Sequence, residues 1–282
     1  MAQHALDGLE RSCKAAGDWA RIAPAGAGIE LMEAAFAGHA FDRHRHDVYA
    51  IGVTLYGVQE FACRGALRAS TAGRVLVIHP DEPHDGHAGT AAGFGYRMVY
   101  VAPELVRQAL APGGACLPFV AEVTVDDPFL ARVINSAFEH FPQALDGLAG
   151  DQLVLDLAEG LQRHDRAPGR TRTAAGAGGR MDRVRDFLDA NLGRVVGSAE
   201  LERVGGVDRF ALARQFRAHC GTSPYRYLTM RRLEAAKRMI LKGRTLAETA
   251  AACGFADQAH LTRQFKAAFG VPPGRFRRLV GA

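Results

Sequence analysis

The sequence predicts two domains: a mainly β N-terminal domain that ends in helices, and an all-α C-terminal domain. Three observations carry this. Short apolar runs punctuated by glycine fill residues 29–101, a glycine-rich basic break lies at 166–180, and the last third matches itself at an offset of 49 residues.

In the first part, the run from Tyr49 to Leu55 alternates side-chain size, and Arg74-Val-Leu-Val-Ile78 is a short apolar stretch. Turn signals fall at Gly57, Gly65, Gly73 and 81–86. Many short strands separated by glycine turns indicate a small β-barrel or jelly roll. From Asp127 to His164 the pattern turns helical. Phe129, Val133, Ala137 and Phe141 recur every four residues, and Leu148, Leu153, Leu155, Leu157 and Leu161 mark a second apolar helix. This pair either packs on the barrel or forms a dimer interface. Residues 166–180 are small, glycine-rich and basic, without apolar periodicity, which predicts a flexible linker. The expected organisation is therefore 1–165, linker 166–180, and 181–282.

Composition excludes several classes. At 282 residues, 48% hydrophobic and 23% charged, the chain is ordinary globular material with length for two domains. No apolar run approaches the ~20 residues that cross a bilayer. Residues 1–10 lack the basic and apolar regions of an export signal, and the five scattered cysteines contain no C-x-x-C pair. A cytoplasmic location with reduced thiols follows as the expectation, with no membrane partner. Charge is unevenly divided. Residues 1–180 hold 16 Lys+Arg against 21 Asp+Glu, whereas 181–282 hold 19 against 9, a net of +10. A polyanion partner for the C-terminal part alone is indicated.

The self-match gives that part a form. Asp208-Arg-Phe-Ala-Leu-Ala-Arg-Gln-Phe-Arg-Ala-His-Cys-Gly-Thr-Ser-Pro224 aligns without a gap to Asp257-Gln-Ala-His-Leu-Thr-Arg-Gln-Phe-Lys-Ala-Ala-Phe-Gly-Val-Pro-Pro273. Each copy starts on an aspartate able to cap free amides and ends on a glycine suited to the left-handed conformation, Gly221 or Gly270. Leu212 and Phe216, like Leu261 and Phe265, form a buried edge. The opposite face carries Arg209, Phe210, Arg214 and Arg217 in one copy, and Gln258, His260, Arg263 and Lys266 in the other. Short helices at 199–204 and Leu246–Ala252 precede them across glycine turns, and Pro224–Leu241 forms a long arginine-rich connection. Helix, tight turn and capped helix with a basic face is the helix-turn-helix arrangement. Guanidinium groups suit phosphate or guanine, while Gln and His reach base edges.

At these residues the chain resembles the AraC/XylS family of transcription regulators. Residues 252–273 match the family signature nearly throughout, and the resemblance runs from about 181 to 279. It implies two helix-turn-helix units, joined by a long helix, that enter successive major-groove segments of promoter DNA. By position it assigns DNA contact to Arg209, Phe210, Ala213 and Arg214, and to Gln258, Ala259, His260, Thr262 and Arg263, with Arg214 and Arg263 foremost. Glu202 stands where the family usually has a small residue. The N-terminal part is similar to the family's cupin-like sensing barrel: His44-Arg-His46 and His79-Pro80-Asp81-Glu82-Pro83-His84 correspond to the two cupin motifs. This implies a small-molecule effector, activation more often than repression, and RNA polymerase as a partner of an activator; a homodimer through the helices after Asp127 is an expectation from their apolar spacing alone. His44, His46, Tyr49, His84 and Arg97 are the expected effector-pocket residues. A metal-dependent cupin would carry a glutamate where this chain has Ala50 or Ile51, so no metal and no cofactor are expected. His44, His46 and His84 as a three-histidine metal site with an open position is the alternative. Two other functions compete: a metal-dependent cupin enzyme fused to a DNA-binding domain, and an architectural DNA-binding protein without ligand control.

Overall fold

A computed structural model describes residues 17–110, 117–165 and 177–280. Among the described residues the N-terminal part has nine strands: β1 Trp19–Gly26, β2 Ile29–Phe36, β3 His39–His44, β4 Tyr49–Cys63, β5 Ala66–Thr71, β6 Val75–Ile78, β7 His84–Ala88, β8 Phe94–Val101 and β9 Thr124–Val125. All pairings are antiparallel. One path runs β1-β2-β8-β4-β6-β9, while β3 pairs with β7, and β5 and β7 both pair with β4.

The 15-residue β4 makes the barrel. Its first part, Ala50 to Val53, pairs with β6, and its second part, Val58 to Cys63, pairs with β5. A register shift between Thr54 and Tyr56 marks the bend, followed by Gly57 at φ 72°. A Cβ at Gly57 would sit 2.0 Å from the Gly93 carbonyl oxygen, so only glycine lets the two strands approach there.

The strand pleat sorts side chains into two cores. Phe36, Phe61, Leu76, Phe94, Tyr96 and Met98 fill the barrel interior. Leu31, Ile51, Val77, Val99 and Val101 face outward onto helices. Those helices are α1 Pro103–Leu110, α2 Pro128–Ala137 and α3 Gly147–Arg163, which bury Val106, Leu130, Ile134, Leu157 and Leu161 against the sheet. The helical pair expected after Asp127 therefore packs on the barrel. Strand β1 and helix α1 were not anticipated, although Pro103 followed by Glu104 is a helix-start signal.

Seven further helices follow among the described residues: α4 Ala177–Asp189, α5 Ser198–Gly205, α6 Arg209–Cys220, α7 Pro224–Leu241, α8 Leu246–Ala252, α9 Gln258–Phe269 and α10 Pro273–Val280. Helix α4 begins inside the expected linker, because Met181 and Val184 are fully buried against the first unit's core and the helix extends one turn further back. The rest of that linker, 166–176, lies outside the described residues. Helix α7 belongs to both small cores. Tyr227 and Leu228 join Met181, Val184 and Phe216, while Leu233, Ala236 and Ile240 join Leu261, Phe265 and Phe276. No helix among the described residues is long and apolar enough to cross a membrane.

Candidate DNA-binding face and interdomain cavity

Both candidate recognition helices are fixed at their ends as their sequences dictate. The Asp208 carboxylate accepts from the Phe210 and Ala211 amides, and Asp257 accepts from the His260 amide. Gly221 and Gly270 close the helices at φ 77° and 71°. The support helix α8 carries a reciprocal cap between Thr245 and Glu248. Glu202, the departure from the family pattern, has a local role: its Oε1 accepts from the Arg209 amide at 2.8 Å and so holds the start of α6.

With Leu212, Phe216, Leu261 and Phe265 buried, the opposite faces are turned outward. Arg209, Phe210, Ala213 and Arg214 are exposed on α6, with the Arg209 guanidinium 5.0 Å from the Phe210 ring centre. On α9, Gln258, Ala259 and Arg263 are exposed, and His260 and Thr262 are half-buried at its edge. Arg217 departs from this arrangement: its guanidinium reaches Asp81 of the barrel at 3.0 Å.

That ion pair belongs to a charged seam between the domains. Arg226 lies 3.5 Å from Asp81, Arg231 pairs with Asp47 at 2.8 Å, Lys266 with Asp42 at 2.7 Å, and Arg275 with Asp18 at 3.2 Å. Backbone joins it too, since the Asp42 amide donates to the Gly270 carbonyl at 2.9 Å. Lys237 of α7 is the most enclosed of these cations. It lies 2.8 Å from Glu30 and 2.9 Å from Glu234, with the Phe269 ring 5.3 Å away. Burial opposes its charge, but Glu234 and Glu30 outweigh it and hold the ammonium above its ordinary pKa. Part of the C-terminal excess of positive charge thus faces the acidic N-terminal domain, a role the sequence reading missed. The uneven charge was itself the signal, but it specified no partners.

Behind the seam is a cavity of about 390 Å³, walled by the barrel interior on one side and α7, α9 and α10 on the other. Met32, Phe41, Met98, Phe269 and Phe276 give it an apolar lining, and Glu30 and Lys237 stand at its wall. The size suits a small-molecule site.

Three of the five residues expected in an effector pocket meet there. His44 and His84 are opposed in the β3–β7 register, and His46 follows two residues on. All three line the cavity, with ring centres 4.2, 5.0 and 6.1 Å apart. Desolvation holds each imidazole below its ordinary pKa, His46 down to about 3, so all three are neutral near pH 7. Tyr49 and Arg97 correct the expectation, because the pleat turns them to the other face of the sheet. Tyr49 is buried with Ile51 and Val53 in the helix-facing core, its hydroxyl donating to the Pro118 carbonyl at 2.8 Å. Arg97 pairs with Glu33 at 2.9 Å, donates to the Asn135 side chain of α2, and lies over Phe138. His79, the first residue of the second motif, meets Arg64 at Nδ1 and accepts from the Val120 amide at Nε2, while its own backbone amide donates to Glu82. Hydrogen bonds from His79 and Arg64 more than offset burial there and hold the Glu82 carboxyl down at about 2.

A ligand-sized cavity in a barrel, set against paired helix-turn-helix units, defines a DNA-binding regulator with a ligand-binding domain. Comparison with known proteins agrees. Residues 26–158 match the AraC-like ligand binding domain, and residues 202–279 match a helix-turn-helix domain. The HTH-type transcriptional activator RhaS of Yersinia pestis (strain Pestoides F) is 27% identical over 269 residues, 87% of this chain and 92% of that protein. The HTH-type transcriptional regulator YbfI of Bacillus subtilis (strain 168) is 24% identical over 223 residues, 78% of this chain and 81% of that one. Among solved structures, ToxT from Vibrio cholerae with an unsaturated fatty acid bound shares the fold at a TM-score of 0.61 and 13% identity, covering 94% of this chain and 96% of ToxT. An apo ToxT variant gives a TM-score of 0.63 at 12% identity, covering 91% and 99%. The chain belongs to the AraC/XylS family of transcription regulators.

Proposed function

We propose that this regulator acts in the cytoplasm as an effector-responsive activator, without catalysis, reading promoter DNA through α6 and α9 and binding its effector in the interdomain cavity. The carrying observation is the position of that cavity. Its wall is shared by the barrel and by α7, the helix that joins the two helix-turn-helix cores, so a ligand there touches both domains at once. A ligand that prefers one arrangement of the seam changes how α6 and α9 are presented to DNA, by as much as its affinity differs between the two arrangements. The apolar lining suits a mostly hydrophobic small molecule with a polar end. The unsaturated fatty acid of the ToxT structure is one example of that class, and the RhaS relative supports activation, which would make RNA polymerase a further partner.

Within this reading Arg209, Phe210, Ala213, Arg214, Gln258, Ala259, His260, Thr262 and Arg263 contact DNA. Arg217 alternates between Asp81 and a phosphate. Homodimerisation uses α3, on which Leu148 is 82% exposed and Leu155 37% exposed. Sedimentation as a monomer at micromolar concentration removes the dimer. The effector is tested by measuring promoter-DNA affinity with and without long-chain acids, alongside thermal unfolding. Stabilisation together with altered DNA affinity is expected. Stabilisation that leaves DNA affinity unchanged contradicts the coupling.

A further inference from the structure

The three histidines have a feature that effector binding does not explain. The Nδ1 of His44 lies 2.9 Å from the Asp42 carbonyl, that of His46 2.9 Å from the Val48 carbonyl, and that of His84 2.9 Å from the Glu82 carbonyl. A carbonyl only accepts, so each Nδ1 carries the proton and each Nε2 is left as a bare lone pair. Each ring offers a nitrogen within 4.8 Å of the other two. His46 Nε2 is buried with no hydrogen-bond partner. Three neutral acceptors converging away from water have nothing to donate to a carboxylate, and a buried acceptor without a donor is costly. A metal cation satisfies all three lone pairs at once, whereas a single hydrogen-bond donor satisfies one. A ring whose other nitrogen donates to a carbonyl is also how metal-bound histidines are oriented and made more basic.

We propose that His44, His46 and His84 bind a divalent transition-metal ion of the zinc type through their Nε2 atoms, with an open coordination position facing the cavity. Three imidazoles and one open position form a donor set that suits zinc and its neighbours in the first transition row. Ring movement of about an ångström brings the nitrogens from their present spacing to the ~2.0–2.1 Å bond lengths such an ion needs. Gln59 strengthens the assignment: its buried Oε1 also lacks a partner and lines the same cavity. The site lies against the second helix-turn-helix unit, because a Cβ at Gly270 would come within 2.8 Å of His44 Nδ1. The glutamate of metal-dependent cupins is absent, so three ligands replace four. The ion site stands independently of the effector reading, since it requires neither DNA nor an organic ligand.

The test is titration of chelator-stripped, untagged full-length protein with zinc by calorimetry and with cobalt(II) by visible absorption. One ion per chain is expected, with the intense ligand-field bands of a low-coordinate cobalt site. His46→Ala and His84→Ala should each weaken binding more than the ~10–100-fold that loss of an outer hydrogen-bond partner costs. His87→Ala should leave it unchanged, because His87 is directed to Glu60 at 3.3 Å. Melting curves in chelator show whether each variant is folded. If neither histidine variant folds, the cobalt spectrum of the parent protein decides, three imidazole donors supporting the site and any other set overturning it. No stoichiometric binding, or binding that survives both substitutions, overturns the proposal.

Discussion

Single residues in this chain carry charge in two directions, toward DNA and toward the barrel, and substitutions separate the two. Arg214→Ala and Arg263→Ala should each cost ~1–3 kcal/mol of DNA affinity and relax preference at one base position if they read bases. A binding titration against ordered single-base variants checks this, and unchanged affinity and preference in both remove the assignment. Glu82 gives a prediction about acid. Its ordinary pKa is 4.5 and the His79 and Arg64 hydrogen bonds hold it at about 2, so its carboxylate contributes stability above pH 4.5 that is lost as pH falls toward 2. Thermal melts should show Glu82→Gln less stable than the parent by up to about 3 kcal/mol at neutral pH, the two converging near pH 2. Parallel curves across that range contradict the assigned hydrogen bonds.

At the scale of elements, the duplicated unit was legible because local chemistry marks both of its ends. Asp208 and Asp257 cap, Gly221 and Gly270 terminate, and the Leu and Phe four residues apart are buried, all as their spacing dictates. Asp257→Ala should therefore cost ~0.5–2 kcal/mol, read by urea unfolding, while a substitution at exposed Gln258 should cost nearly nothing. Equal effects at the two positions contradict the capping role. The barrel was less legible. Strand β1 was missed because Trp19-Ala-Arg-Ile-Ala-Pro-Ala-Gly26 is short in large apolar residues and contains proline. Arg97 is not a pocket residue because the pleat of β8 alternates its side chains between the two faces of the sheet. Counting by twos from Val99 and Val101, which face the helices, puts Arg97 on their side and Tyr96 and Met98 inside. The three histidines were brought to notice by their motif, but the proton on each Nδ1 is set by backbone carbonyls that only the fold positions.

At the scale of the molecule, the net positive charge of the last hundred residues is shared between DNA and the barrel. The sequence showed the imbalance, whereas the pairing of Lys237 with Glu30 or Arg231 with Asp47 spans roughly two hundred residues and has no local signature. Lys237→Met leaves the Glu30 and Glu234 carboxylates enclosed without their cation. Removing one partner of a buried pair costs ~3–5 kcal/mol, so the domains should separate in that variant, visible as a larger radius of gyration in small-angle scattering. An unchanged radius and unchanged stability contradict the role given to the seam.

The most direct test of the account as a whole is competition binding of the full chain to DNA from upstream of its own gene, at two salt concentrations, for the parent protein and the Arg214→Ala/Arg263→Ala double variant. The parent should bind tightly, salt-sensitively and sequence-selectively, and the variant should lose selectivity while keeping its fold. Selective binding that survives the double substitution would contradict this, because DNA would then be read by a surface other than α6 and α9.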